Sequence, residues 1–352
     1  MNFKSDNEAP AHPAILEAVV EANRDFATAY AADRYSRQLD ARFSEVFETE
    51  CHVLPIATGT AANSVVLSEL SPPWGAIMCH RVAHIHCDEG GAPEFYTHGA
   101  KLVPLDGDNA RLDPAVLAQA IDSAGAHGVH NCKPSVVSVT QATECGTSYR
   151  PEQIRALAEV ARERGLPLHM DGARFANAVA WLGCTPAEIT WKSGVDVLSF
   201  GATKNGALTA EAIVVFGRPE WLEGMERRRK RGGHLLSKMR YVSAQLLAML
   251  ENDLWLDIAR DANQRAAQLA SGIEQAAVAE VQWPVEANEV FMRARPELLQ
   301  SLKDQGFEFH VWPGFDDVAR LVCTFATPPE SIQALLAALS GEADQSDVRP
   351  KK

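Results

Sequence analysis

At 352 residues, with 46 acidic against 33 basic side chains and a net charge of −13, the chain can hold one large core and a smaller second unit, and its acidity argues against general nucleic-acid binding. Its 46% hydrophobic content is that of a globular protein, and no apolar run approaches the ~20 residues that a membrane span requires. Seven cysteines without a Cys-x-x-Cys pair fit reduced thiols rather than a disulfide framework or zinc site; together with a polar N-terminus, they lead us to expect a cytoplasmic protein.

Residues 1–11 read as an extended arm, and a helix follows Pro13 with Ile15, Leu16, Val19 and Val20 as its apolar stripe. Ser5 to Asn7, just ahead, form either a cap for that helix or a polar arm reaching into a site. Periodic Leu39, Phe43, Val46 and Phe47 predict a second amphipathic helix between 33 and 48. The stretch from Cys51 reads as a strand, a turn at Thr58-Gly59-Thr60 and a helix carrying Ala62, Val65, Val66 and Leu70. Unpaired N–H groups and the helix dipole would then face one point, the arrangement of a phosphate cradle, although such a turn is a weak signal by itself.

Strands at 76–79 and 102–105 flank HIHCDEGG. If that stretch were extended, His84 and His86 would share a face. No second cluster completes a ligand set, so no catalytic metal is expected. His84 reads as a neutral ring stacked on a planar cofactor or, structurally, as a hydrogen-bonded histidine in a packed turn. A helix over 113–125, the β-branched run SVVSVT, a helix from Pro151 to Gly165 and the apolar run before Asp171 predict a parallel, right-handed crossover. VDVLSF (195–200) and AIVVF (212–216) add two buried strands, and the functional strand ends are expected along one rim.

RRRKR at 227–231 is expected to cap a helix C-terminus or to supply cations to a phosphate. Residues 235–270 read as one uninterrupted helical connector. Beyond about residue 255 the pattern is α+β, and the polar tail after Gly341 is expected to fray. The expected division is a large domain over 1–254, including the arm, and a small domain over 255–352.

Asp171 ends one strand and Lys204 follows another, 33 positions later and downstream of the phosphate-type turn. This order suits pyridoxal 5'-phosphate: the lysine can hold the aldehyde as a Schiff base, and the carboxylate can keep the pyridine nitrogen protonated. The phosphate turn lacks G-x-G-x-x-G, which argues against a nicotinamide dehydrogenase.

With these motifs in place, the chain resembles the L-threonine aldolase family of fold type I pyridoxal phosphate enzymes, its phenylserine-cleaving members most of all. The resemblance runs from Ser5-Asp6-Asn7 through IATGTAAN, His84 before Glu89-Gly90-Gly91, LHMDGAR and TKNG to RLVCTFAT, with LHMDGARF and SFGATKNG its specific parts. It implies an α/β fold, with a transferase-like large domain on a mostly parallel sheet and a smaller C-terminal α+β domain. It also implies cleavage of phenylserine- or threonine-type β-hydroxy-α-amino acids to glycine and an aldehyde by a homodimer or homotetramer.

By the same resemblance Lys204 anchors the cofactor, Asp171 pairs with the pyridinium and His84 stacks on the ring. Gly59, Thr60 and Arg240 hold the phosphate, Arg174 lies near the cofactor oxygen and substrate carboxylate, and Arg320 grips that carboxylate with help from Ser5. Many members carry a second histidine where this chain has Thr143 and Glu144, which leaves His84, or a water it positions, as the expected base. His86 and Asp88 replace bulky apolar residues. The alternatives are a β-eliminating lyase and a non-catalytic cofactor-binding protein of the same fold.

Overall fold

The computed structural model describes residues 1–276 and 278–341; the expected frayed tail lies outside them. Seven strands form the large sheet: β1 (Cys51–Ile56), β2 (Gly75–His80), β3 (Lys101–Leu105), β4 (Lys133–Thr140), β5 (Leu168–Gly172), β6 (Val197–Gly201) and β7 (Glu211–Phe216). Their order is β1-β7-β6-β5-β4-β2-β3, and β7 alone among them runs antiparallel to its neighbours. Apolar residues such as Val137, Met170, Leu198 and Val214 fill the main core on one face. On the other, helix Gly59–Leu70 packs Ala62, Val65 and Val66 against Val197 and Ile213. Burial on both faces accounts for strands that are continuous hydrophobic runs.

The expected crossover from 135 to 171 is present: β4 and β5 pair in parallel around helix Pro151–Glu163. The single-rim expectation needs one correction. Because β7 is antiparallel, its first residue, Glu211, reaches the rim where β6 ends at Gly201 and β1 ends at Ile56.

The small sheet is antiparallel, with β8 (Ala279–Val281), β9 (Glu289–Ala294), β10 (His310–Val311) and β11 (Val318–Val322) in the order β10-β11-β9-β8. A helix over Pro329–Leu339, not anticipated from the sequence, helps close its core. The expected uninterrupted connector is broken: helix Arg240–Leu250 stops, Asn252 and Asp253 take left-handed φ of 50° and 58°, and a new helix runs Leu254–Gln275. A hydrophobic pattern shows the periodicity of both helices but not two left-handed residues between them. The expected boundary at 254 falls where this last helix begins. Its Trp255, Ile258 and Ala259 join the large core, and Ala266, Leu269 and Ile273 join the small one.

Of the two readings of the arm, the structure has the polar arm at the site rather than the helix cap. The Phe3 amide donates to the Glu308 carbonyl (2.8 Å), the Val322 amide donates to the Phe3 carbonyl (2.9 Å), and the Phe3 side chain lies in the small-domain core. Ser5 Oγ accepts the Asn7 amide and caps only a short turn over Asp6–Glu8. Helix Pro13–Ala22 is capped instead by His12, whose Nδ1 accepts the Ala14 amide. Of its predicted stripe, Ile15 is buried whereas Leu16 and Val20 are exposed.

Candidate active site

Where β1 ends, Thr58 takes an extended conformation and caps helix Gly59–Leu70, its Oγ1 accepting the Ala61 amide at 3.2 Å. The first-turn amides of Gly59 and Thr60 have no helical acceptor and concentrate positive potential there. A Cβ built on Gly59 would meet nothing within 4 Å, so the space above the turn is open. Gly59, Thr60, Asn63, His84, Asp171, Lys204 and Glu211 border this cavity of about 370 Å³.

Asp171 is held on β5 from two directions. Oδ2 accepts the Asn63 amide at 2.9 Å, and Oδ1 accepts the Ala173 backbone N–H at 3.1 Å. Two residues earlier, His169 lies between the hydroxyls of Ser138 and Ser199 at 3.0 Å each, bracing β4, β5 and β6 together. Burial drives its pKa down to about 4, so it braces the sheet as a neutral ring.

Asn63 also donates to Glu89 Oε1 (2.8 Å), which meets His84 Nδ1 at 2.9 Å. Donor and acceptor atoms of His84, Glu89 and Asp171 therefore lie within 4.8 Å of one another, already joined by hydrogen bonds. The bond to Glu89 raises the His84 pKa above its ordinary value against the effect of burial. The segment is a short helix, His84–Cys87, rather than a strand. Residues two apart on a helix do not share a face, and His86 is exposed away from both cavities.

Lys204 sits in the turn Thr203–Asn205 after β6, pinned by Asn205, which donates to the Trp255 carbonyl (2.8 Å). Gly206 has a φ of +93°, and a Cβ there would meet Ile258 and Phe325 at 3.3 Å, so a side chain would strain this turn. Beside it, Glu211 accepts the Ala202 amide, and burial pushes its acid up to about 7.

A second cavity, about 330 Å³, adjoins the first and shares Asn7, His84, Asp88 and Lys204 with it. Ser5, Arg174 and Arg320 border it. Arg174 is clamped by Asp6, Nε to Oδ2 at 2.8 Å and Nη2 to Oδ1 at 3.0 Å, and also faces Glu289 at 3.4 Å. Burial works against ionisation of Asp6, but Arg174 and Lys204 outweigh it and hold the acid below its ordinary range. Arg320 is less fully engaged. Its Nη2 donates to the Lys4 carbonyl at 3.3 Å, its Nη1 lies 3.8 Å from Glu289, and its buried Nε has no partner.

Lys204, His84, Asp171, Gly59, Thr60, Arg174, Arg320 and Ser5 are thus brought together, but Arg240 is not. It donates to the Ala22 carbonyl (3.0 Å) and to Tyr241, and borders neither cavity of its own chain. Thr143 also turns away, bonded to Thr147 and the Asn109 carbonyl, while Glu144 faces the second cavity. The sequence reading assigned no site role to Asp6, Asn63, Glu211 or Glu289. Asp6 and Asn63 lie inside the motifs quoted for the resemblance, and their polarity next to apolar or small residues was the available signal.

The arrangement fits a phosphorylated pyridine aldehyde. There is an open anion cradle at a helix N-terminus, a lysine beyond it and a fixed carboxylate at the base. Unpartnered buried Asn63 Oδ1 and Glu89 Oε2 lie along the wall between them.

Residues 2–295 match the family described as beta-eliminating lyase. The chain is 41% identical over 335 residues to a low-specificity L-threonine aldolase of Pseudomonas sp. (strain NCIMB 10558), covering 95% of this chain and 96% of that one. It is 40% identical to the Pseudomonas aeruginosa protein of the same description, over 95% of each chain. Among solved structures, Leishmania major threonine aldolase superposes with a TM-score of 0.90 at 25% identity, covering 97% of this chain and 99% of that one. A Thermus thermophilus aspartate aminotransferase, at 16% identity and TM-score 0.74, shares the fold.

Proposed function

The chain belongs to the beta-eliminating lyase family and, within it, to the L-threonine aldolases, and from that premise we propose that its preferred substrates are of the phenylserine type. It is a pyridoxal 5'-phosphate-dependent carbon–carbon lyase that cleaves β-hydroxy-α-amino acids to glycine and an aldehyde. When bound, the cofactor supplies an electron sink for the pair released from the Cα–Cβ bond.

The residues divide the remaining work. Lys204 would hold the cofactor aldehyde, Asp171 the ring nitrogen, the Gly59 and Thr60 amides the phosphate, and His84 would lie against the ring. Arg320 offers its unspent Nε and planar fork to the substrate carboxylate. Arg174, clamped by Asp6, gives that carboxylate a second fixed cation, and Ser5 lies at the same wall. Holding the carboxylate sets which bond at Cα stands across the ring face and therefore which bond breaks.

The observation that carries the phenylserine preference is the wall opposite Lys204. His310, Val311, Trp312 and Pro313 border the second cavity, and Trp312 is set edge-on against Phe291 with centroids 5.1 Å apart. An aryl group leaving water gains area and ring contacts there that a methyl group does not. Feeding the holoenzyme phenylserine and threonine is expected to give glycine with benzaldehyde or acetaldehyde, with kcat/KM about tenfold higher for phenylserine. Equal or inverted values would remove the aryl preference. Pyruvate and ammonia instead of glycine would move the enzyme to β-elimination.

A homo-oligomer is part of this reading, supported by exposed Leu16 and Val20 beside a groove of about 970 Å³ between helices Pro13–Ala22 and Arg240–Leu250. So is a cytoplasmic location, supported by seven unpaired thiols. No helix of the described residues is long and apolar enough to cross a membrane.

A further inference from the structure

Glu144 follows the end of β4 and borders the cavity that holds Lys204, Arg174 and Arg320. Its Oε1 accepts two hydrogen bonds, from the Thr140 hydroxyl at 2.8 Å and from the His84 backbone N–H at 2.7 Å. Those donors fix the carboxylate through one oxygen. The other, Oε2, is buried and has no partner. One oxygen restrained and one left free is the geometry a proton acceptor needs, because the acceptor stays in place while its charge changes.

We propose that Glu144 is the base of carbon–carbon cleavage, its Oε2 taking the proton from the substrate β-hydroxyl. The inference rests on the aldolase reading given above. The O–H electron pair becomes the second bond of the aldehyde carbonyl, and the Cα–Cβ pair stays with the amino-acid fragment. After the aldehyde leaves, the proton on Glu144 passes to solvent, and a proton added at Cα completes glycine. In the synthetic direction protonated Glu144 returns its proton to the new hydroxyl.

Other candidates near the cavity are less suited. His84 Nδ1 is engaged by Glu89 at 2.9 Å, and that bond favours the protonated ring, which cannot accept a proton. Glu211 lies on the cradle side, bonded to the Ala202 amide. Asp88 is exposed at the cavity wall, where water competes for its oxygens. Burial, together with Asp171, brings the Glu144 acid up to about 7, a strength matched to proton transfer near neutral pH.

The charged groups facing Glu144 are Asp171, Arg174 and, across the cavity, Lys204, Glu289, Asp88 and Arg320. Cys79, Cys87, Cys145 and Tyr149 also surround it, all with raised pKa values, and His310, with a lowered one, lies across the cavity. These five are uncharged near pH 7, whereas Glu211 on the cradle side, its acid also pushed up to about 7, titrates in the same range as Glu144.

The test is Glu144→Gln in the holoenzyme. Glycine formation from phenylserine should fall by about 100-fold or more, and the acid limb of kcat near pH 7 should vanish. The visible band of the bound cofactor should persist. Exchange of the glycine α-proton in D2O, followed by NMR, requires no hydroxyl deprotonation and should fall far less than cleavage. A near-normal cleavage rate in the variant, or an acid limb that persists in it but is absent from Glu211→Gln, overturns the assignment. So does equal loss of cleavage and exchange, which would make Glu144 a positioning residue for His84. Absence of glycine formation by the unmutated enzyme would overturn the aldolase reading itself.

Discussion

The two halves of the site are built in different ways. The proposed cofactor half, Gly59, Thr60, Asn63, Asp171, Lys204 and Glu211, lies along one rim of the large sheet, with Asp171 and Glu211 set by strand register and the others by the helix after β1 and the turn after β6. The substrate half takes Ser5 and Asp6 from the arm, Arg174 from the large domain, and Glu289 and Arg320 from the small sheet. A rim set by ladder hydrogen bonds resists the loss of a single side chain. A cavity assembled by ion pairs between distant segments depends on each charge being matched.

The sharpest test of that contrast is Lys204→Ala. The bound-cofactor absorption band should disappear and activity should fall more than a thousandfold, about 4 kcal/mol of transition-state stabilisation, while the thermal midpoint of the apoprotein barely moves. A large loss of apoprotein stability would mean that the rim is less self-sufficient than its register indicates.

Arg320→Ala should leave the band intact and raise KM about thirtyfold, the equivalent of about 2 kcal/mol for a charge-assisted bond. Normal substrate affinity would move the carboxylate contact elsewhere. Asp6→Asn should have a smaller kinetic effect, with KM rising about tenfold as Arg174 loses its clamp, and should also cost stability. Because the Asp6 acid is held below its ordinary range, its contribution is present above about pH 4 and lost as pH falls through the lower folded value. Melting curves of the two proteins should therefore converge in acid.

The smallest kinetic effect is expected from Glu211→Gln, whose change is in stability. An acid pushed up to about 7 contributes stability below its unfolded value, and this is lost as pH rises through about 7. The variant should thus gain on the unmutated protein above neutrality, by on the order of 2 kcal/mol. Parallel stability curves from pH 5 to 8 would contradict the raised value.

The same contrast governs what the sequence discloses. The rim was legible because strand, turn and helix leave local patterns: apolar runs ending at Asp171 and before Lys204, and small residues at Thr58 to Thr60. Glu211 escaped because nothing in AIVVF says that its strand runs backwards, placing its first residue on the rim. His84 was found, but nothing local says that Glu89 folds back against its Nδ1. Arg174 and Arg320 came through resemblance, whereas of the acids that balance them Asp6 stood inside a quoted motif without a role and Glu289 carries no local pattern. The break at Asn252 and Asp253 was hidden for a related reason: two left-handed residues change the direction of the chain without interrupting its hydrophobic period.

The arm has one more consequence, for the order in which the molecule is completed. Phe3 hydrogen-bonds Glu308 and Val322, so the arm finds its partners only after the small domain that carries them has been made. Contacts of such long sequence separation form late, since a long loop must close before they can contribute. The large sheet can form earlier from β1–β7, but Asp6 cannot reach Arg174 in its final setting until the small domain has captured the arm. Binding competence would then be the last property this polypeptide acquires during synthesis.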